Sequence, residues 1–519
     1  MGNSNQSNST PRWIIWLVCL LVNLLPGELP GQGSAVPLDR IISGGTVYDG
    51  SGAAPFVADI GIRGERIVRI GDLKGVSARE TIDAHGLAVS PGFINMLSWA
   101  TRSLLVDGLA QSDIRQGVTL EVFGEGWSMG PLNSTMKKDM SSNQDDLRFD
   151  VTWTGLMEYL DHMTRKGVSV NVASFVGATT LRVHQVGYEN RKATKAELQA
   201  MKRLVRDEMA AGALGIGSSL IYAPAFYADT DELIAICQEA AKYNGLYISH
   251  LRSEGNQLLE AVDELLKISR EAGIAAEIYH LKAAGKNNWS KLDAVIQKVE
   301  QARQSGMKIS ADMYTYTAGA TGLDAAMPPW VQEGGFGRWR DRLRDPDTRS
   351  RLLKEMKTET DDWENLLLMS GSPANVLLVG FSNPDLKHLT GRSLAEVAAK
   401  RGKSAEEVAM DLVIEDGSRV ECVYFLMSEA NVRKKVALPW VSFGSDAAAI
   451  APEGVFLKRS PHPRAYGCFA RLLGKYVRDE KALPLALAIH KMTGLPAANL
   501  KLRDRGQLKA GYYGDVVVF

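Results

Sequence analysis

The sequence predicts an α/β fold: a (β/α)8 TIM-type barrel with a small β-sandwich built from the N- and C-terminal segments. Three observations predict it. Gly245 to Tyr314 reads as consecutive strand–helix repeats, whose strands GLYISH, GIAAEIYH and GMKISAD end on His250, His280 and Asp312. The steps from 250 to 280 to 312 are 30 and 32 residues, each about one βαβ repeat. Strand candidates of the same kind recur from Phe93 to Asp446, and short β-type runs occupy both ends of the chain.

Taken in order, residues 1–35 read as a signal peptide. Arg12 precedes the apolar run Trp13 to Leu25, and the small residues Gly33, Ser34 and Ala35 offer a cleavage site. The run is short for a membrane span and suits a signal-peptide core. The expectation is export with cleavage near Ala35 and no stable membrane insertion afterwards; an uncleaved anchor is the alternative. Of four cysteines, Cys19 lies in this leader. Cys237, Cys422 and Cys468 form no CxxC pair, and their odd number argues against a disulfide framework. An exported chain without disulfides points to a bacterial periplasm.

Residues 36–90 form the N-terminal part of the sandwich, in the runs RIISGGTVYDG, ADIGIRGERIVRIG and ETIDAHGLAV, punctuated by Gly and Asp. Residues 91–500 form the barrel. Its strand candidates are Phe93–Trp99, Val118–Gly124, Ser169–Val176, Ala213–Ser219, Leu246–His250, Ala275–His280, Lys308–Asp312 and Trp440–Asp446. Between them, Leu258, Val262, Leu265 and Leu266 share one helix face, with Gly273 as a stop. Leu292, Val295, Ile296 and Val299 share another, stopped by Gly306. Thr194 with Glu197, and Asp229 with Glu232, have the spacing of capping boxes. Residues 325–438, with PPW and EGGFGRW, read as an insertion over the barrel top, a lid or recognition segment. Residues 501–519 return to the sandwich; ending on an expected buried strand, that return reads as truncated.

The 519 residues include 60 basic and 60 acidic side chains and are 45% apolar. Zero net charge and the lack of a basic cluster offer nothing to nucleic acid; a small-molecule substrate is expected, and oligomeric state is not readable. Polar residues at the C-terminal ends of successive buried parallel strands are where a barrel places its chemistry. Two histidines and a carboxylate there suit a metal.

Against this reading, the words ISGGTVYDGSG, QGVTLEVFGEG, GALGIGSSLIYAP, ISHLRSEG, IYHLKAAG, ADMYTYTAG, FGSDA, HPRAYG and GQLKAGYYGDVVVF stand in order from about Ile41 to Phe519. In them the chain resembles the amidohydrolase superfamily and, within it, the N-acyl-D-amino-acid deacylases (D-aminoacylases). The resemblance implies that His250 and His280 are metal ligands and that Asp446 is the general base and acid. It places Lys282, Tyr222 and Arg464 on the substrate, Arg464 clamping a carboxylate with its planar fork. Asp312 is expected to orient a histidine.

Two departures shape the expected site. The family's first-strand His-x-His pair is replaced by Leu97 and Trp99, and its second-strand cysteine by FGEGW, which puts Glu125 at or beside that position. A carboxylate binds zinc well. The expectation is one Zn2+ per chain held by Glu125, His250 and His280, serving metal-dependent hydrolysis of the amide bond of N-acyl-D-amino acids. The alternatives are hydrolysis of another C–N bond, in a cyclic amide or a D-dipeptide, and an inactive amidohydrolase-like binding protein.

Overall fold

The structure is a computed structural model that describes residues 37–519. The expected leader, its Cys19 and its cleavage site lie outside the described residues. Among the described residues no helix is long and apolar enough to cross a membrane. Cys237, Cys422 and Cys468 are free and buried.

Eight parallel strands form a ring. They are Phe93–Asn95, Val118–Phe123, a third broken into Asn171–Ser174 and Val176–Gly177, then Gly215–Ser219, Leu246–His250, Ala275–Ile278, Ile309–Met313 and Val441–Phe443. Ladders join each to the next within two arcs, strands one to three and strands three to eight. The break in the third strand is spanned where Phe175 N donates to Phe123 O and Leu214 N donates to Ser174 O. The ring closes where Met96 N donates to Phe443 O and Ser98 bridges Ala447. A separate buried cluster of Ile94, Met96, Leu97, Leu120, Val122, Phe175, Leu246, Ile248 and Tyr279 draws on strands around this ring and its C-terminal margin. Packed side chains of this kind make a barrel interior a core rather than a pore.

The helices follow the predicted faces. Leu258–Ala272 buries Leu258, Val262 and Leu265, and ends at Gly273 with φ +65, a left-handed cap that glycine adopts without strain. Thr194 and Glu197 form the reciprocal capping box. At Asp229 only half of the box exists. Asp229 accepts from Glu232 N at 2.9 Å, but the Glu232 carboxylate turns to Arg182 Nη1 at 2.6 Å. A guanidinium that is almost wholly buried needs a charged partner more than a helix end needs its second cap.

The terminal segments share one sheet. Leu38–Val47 pairs with Phe56–Arg63, Ala78–Asp83 and Ala88–Pro91, and Val516–Val518 adds antiparallel to Ala88–Pro91. By hydrogen bonding it is a single six-stranded sheet, and a bulge between Ile42 and Gly45 lets its longest strand change neighbours. Between barrel strands seven and eight lies a second antiparallel sheet of Ala318–Gly322, Glu421–Phe425 and Val376–Gly380, with helices around it. Its first strand precedes the expected start of the insertion at residue 325. The insertion reaches the barrel through Glu364, whose Oε1 accepts from Ser253 Oγ and from Glu254 N and Gly255 N in the loop after strand five.

Candidate metal centre

Glu125 follows the second barrel strand between Gly124, at φ +111, and Gly126, at φ +69. A Cβ on Gly126 would lie 2.1 Å from Ser219 Oγ, so glycine alone permits the turn that aims Glu125 inward. Glu125 Oε1 lies 3.0 Å from His250 Nδ1 and 2.9 Å from His280 Nε2. One ligand atom from each of the three residues lies within 4.8 Å of the others, and all three side chains are buried. This is a donor set of two imidazoles and a carboxylate, the kind that holds zinc with a position left open.

The far sides of both imidazoles face another carboxylate. Glu254 lies 3.4 Å from His250 Nε2 and 3.1 Å from His280 Nδ1. Metal-binding histidines usually have such a carboxylate behind them, which fixes tautomer and ring orientation. Lys282 Nζ donates to Glu254 Oε1 at 2.5 Å and lies 2.7 Å from His280 Nδ1, so its ammonium is committed inside the cluster. Burial pushes the Glu254 carboxyl up, but His250, Lys282 and His280 together hold it well below the usual range. Glu125 behaves alike: burial raises it and the two histidines more than offset that. Burial and Lys282 push His280 down, but Glu254 and Glu125 win and lift it to about 10.

Asp446 closes the other side, three residues past the eighth strand. Its Oδ2 lies 2.8 Å from Arg464 Nη1. Burial pushes its carboxyl up and Arg464 pulls it down; the net direction is upward. His280, at φ +34, and Asp446, at φ +50, both take the left-handed backbone that favours glycine. Such strain costs about 1 kcal/mol or more per residue and clusters at functional sites.

The remaining expected residues are close by. The Tyr222 ring meets His250 edge-on at 5.4 Å, and Arg419 of the insertion stands over its face at 5.2 Å. Arg464 lies over the Tyr314 ring at 4.6 Å, and its buried Nε has no hydrogen-bond partner. Asp312 acts on the His280 backbone rather than the ring, its Oδ1 accepting from His280 N at 3.0 Å. Sequence reasoning missed Glu254, whose only signal was its place four residues after His250. It also missed the role of Trp99, which stands in place of a family histidine: its Nε1 lies 2.9 Å from Glu125 Oε2 and 3.1 Å from Asp446 Oδ1. A cavity of about 660 Å3 beside the strand-five loop is lined by Arg252, Ser253, Glu264 and Glu364 among others, but by none of Glu125, His250, His280 or Asp446. The donor set, rather than cavity size, locates the chemistry.

Residues 115–519 match the amidohydrolase family. The chain belongs to the amidohydrolase family. A D-aminoacylase of Alcaligenes xylosoxydans xylosoxydans is 34% identical over 94% of this amidohydrolase and 89% of its own length. A solved D-aminoacylase, characterised for one-metal activation and second-metal attenuation at a binuclear metal centre, is 35% identical with TM-score 0.75, covering 93% of this chain and 90% of its own. The N-acyl-D-glutamate deacylase of Bordetella bronchiseptica, solved with zinc and a phosphonate mimic of the tetrahedral intermediate, is 28% identical with TM-score 0.76 over the same shares, 93% and 90%. These likenesses agree with the barrel and terminal sheet described above.

Proposed function

We propose that this amidohydrolase cleaves the amide bond of N-acyl-D-amino acids, with one zinc ion at Glu125, His250 and His280 and with Asp446 as the proton carrier. The observation that carries the reading is Glu125 Oε1 within 3.0 Å of one nitrogen on each histidine, backed by a second carboxylate on the far side of both rings. The hydrolysed bond and the handedness of the substrate rest on the deacylase relatives.

Zinc in that donor set would supply Lewis acidity, polarising the acyl carbonyl and lowering the pKa of water to about 7. The chain's residues do the rest. Asp446 takes the proton of the attacking water on a carboxylate oxygen and returns it to the leaving amine nitrogen. Burial, by raising its pKa, makes Asp446 a better match for work near neutrality. Arg464 has donor capacity left, since its Nε is unpartnered and Nη1 meets Asp446 as an ion-pair contact without hydrogen-bond geometry. A planar fork with free donors suits the substrate carboxylate. Tyr314, with a buried and unpartnered hydroxyl, lines the same space and stays a neutral donor because burial raises its pKa.

The test is a panel of N-acyl-D-amino acids, their L-enantiomers and hydantoins, assayed with and without a chelator. Amine release from the D-series, lost on chelation and restored by zinc, is expected. Release only from the cyclic substrates would overturn the deacylase reading, and no turnover with zinc bound would favour a binding protein. Export to a bacterial periplasm is proposed on residues 1–35 alone; N-terminal sequencing of secreted protein, expected to start near Ala35, checks it.

A further inference from the structure

We propose that Trp99 takes the place of a second cation in this site: its indole N–H holds Glu125 and Asp446 in register, and the site therefore works with one ion. This rests on the one-zinc hydrolase reading above. One N–H lies within hydrogen-bond distance of two carboxylates, after strands two and eight, which flank strand one: Glu125 Oε2 at 2.9 Å and Asp446 Oδ1 at 3.1 Å. Two buried carboxylates facing one another repel, which raises the pKa of one unless a positive charge or a donor stands between them. An ion with two charges could do so. An indole N–H does it with a fixed partial charge and offers a donor only, with no lone pair for a metal.

Local structure supports a positioning role over a packing one. Trp99 N donates to Ala447 O at 2.9 Å, which ties its backbone to the residue after Asp446. The side chain is 37% exposed, so it contributes less to the core than to the mouth. Leu97, two residues earlier, is fully buried in the barrel interior, and its carbonyl accepts from Asp446 N at 2.8 Å. Neither the Leu97 nor the Trp99 side chain, just past strand one, can ligate. Among the described residues, Glu125, His250 and His280 are the one cluster of three ligand side chains.

The experiment compares the wild type, Trp99→Phe and the double variant Leu97→His/Trp99→His, each loaded with excess zinc and desalted. Zinc per chain is measured by elemental analysis and turnover on the best N-acyl-D-amino acid of the panel. The expected wild type holds one zinc. Trp99→Phe should still hold one, with kcat lowered by about 10- to 100-fold, since a displaced proton carrier costs on that order, and KM within about threefold. The double variant should hold two. Unchanged kcat in Trp99→Phe, a loss confined to KM, or a double variant that still holds one zinc would overturn the inference. If Trp99→Phe fails to fold, as its melting would show, the zinc count of the double variant decides. A wild type that takes up no zinc overturns the underlying hydrolase reading, which is thereby told apart from a failure of the Trp99 inference alone.

Discussion

Strands two, five and six bring Glu125, His250 and His280 together at the barrel mouth, while strands one and eight bring Trp99 and Asp446 there beside them. The two groups are equally part of the rim and differ in chemistry. In the first, ionisable groups meet one another: two histidines lie between Glu125 and Glu254, with Lys282 behind them. In the second, one carboxylate is held by an indole N–H and a guanidinium, groups that donate and never ligate. The difference teaches that one barrel rim can carry a cluster of candidate ligands beside a carboxylate held by donors alone, because each strand end presents its residues independently.

The sharpest way to break the comparison is to damage the ionisable cluster. His280→Ala removes one of the three proposed ligands and should leave less than a tenth of a zinc per chain after desalting, with turnover lowered by at least about 10^3-fold, as expected when the group that activates water is lost. Retained zinc and activity would mean that the ion sits elsewhere. In the second group, Asp446→Asn should lower kcat by about 10^2- to 10^4-fold, the usual range for a general acid–base group, while zinc content stays at the wild-type value. Activity near that of the wild type would remove Asp446 from its assigned role.

Smaller effects sharpen the contrast. Glu254→Gln leaves all three ligands in place but weakens the acceptor behind both imidazoles; zinc affinity by chelator competition should fall about 10- to 100-fold. An unchanged affinity would make Glu254 a mere partner of Lys282. The smallest effect is with pH. Zinc must displace the proton that His280 keeps, in the metal-free pocket, up to about 10. Apparent affinity should therefore rise about tenfold per pH unit through the neutral range, for one proton released. Stability of the metal-free protein runs the other way. The His280 pKa is raised from 6.5 to about 10, so its contribution is complete below pH 6.5 and is lost as pH rises through about 10. Melting of metal-free against zinc-loaded protein from pH 6 to about pH 10 should show that slope only without metal.

The sequence by itself determined what local periodicity can carry. Strands buried in a barrel are apolar runs at a repeating distance, and all eight were legible, as were the faces of the helices Leu258–Ala272 and Lys291–Gln304. His250, His280 and Asp446 were legible as strand-end polar residues in a family pattern, and Glu125 as a carboxylate at or beside the position of the family's second-strand cysteine. Only the tertiary structure decided what depends on closure of the ring. Trp99 reaches Asp446 across 347 positions of sequence, and the Leu97 carbonyl takes the Asp446 N–H in the same seam. Nothing in the residue types of strand one announces that its tryptophan will donate to two carboxylates. Glu232 looked like a cap because a cap is a local event; it left that role for Arg182, a partner 50 residues away that burial made more demanding. Glu254 was equally silent, since a glutamate in a loop reads as solvated until two imidazoles fold against it. Spacing along the chain can report which residues face the same way, but which charges share a buried volume is settled only when the strands that carry them meet.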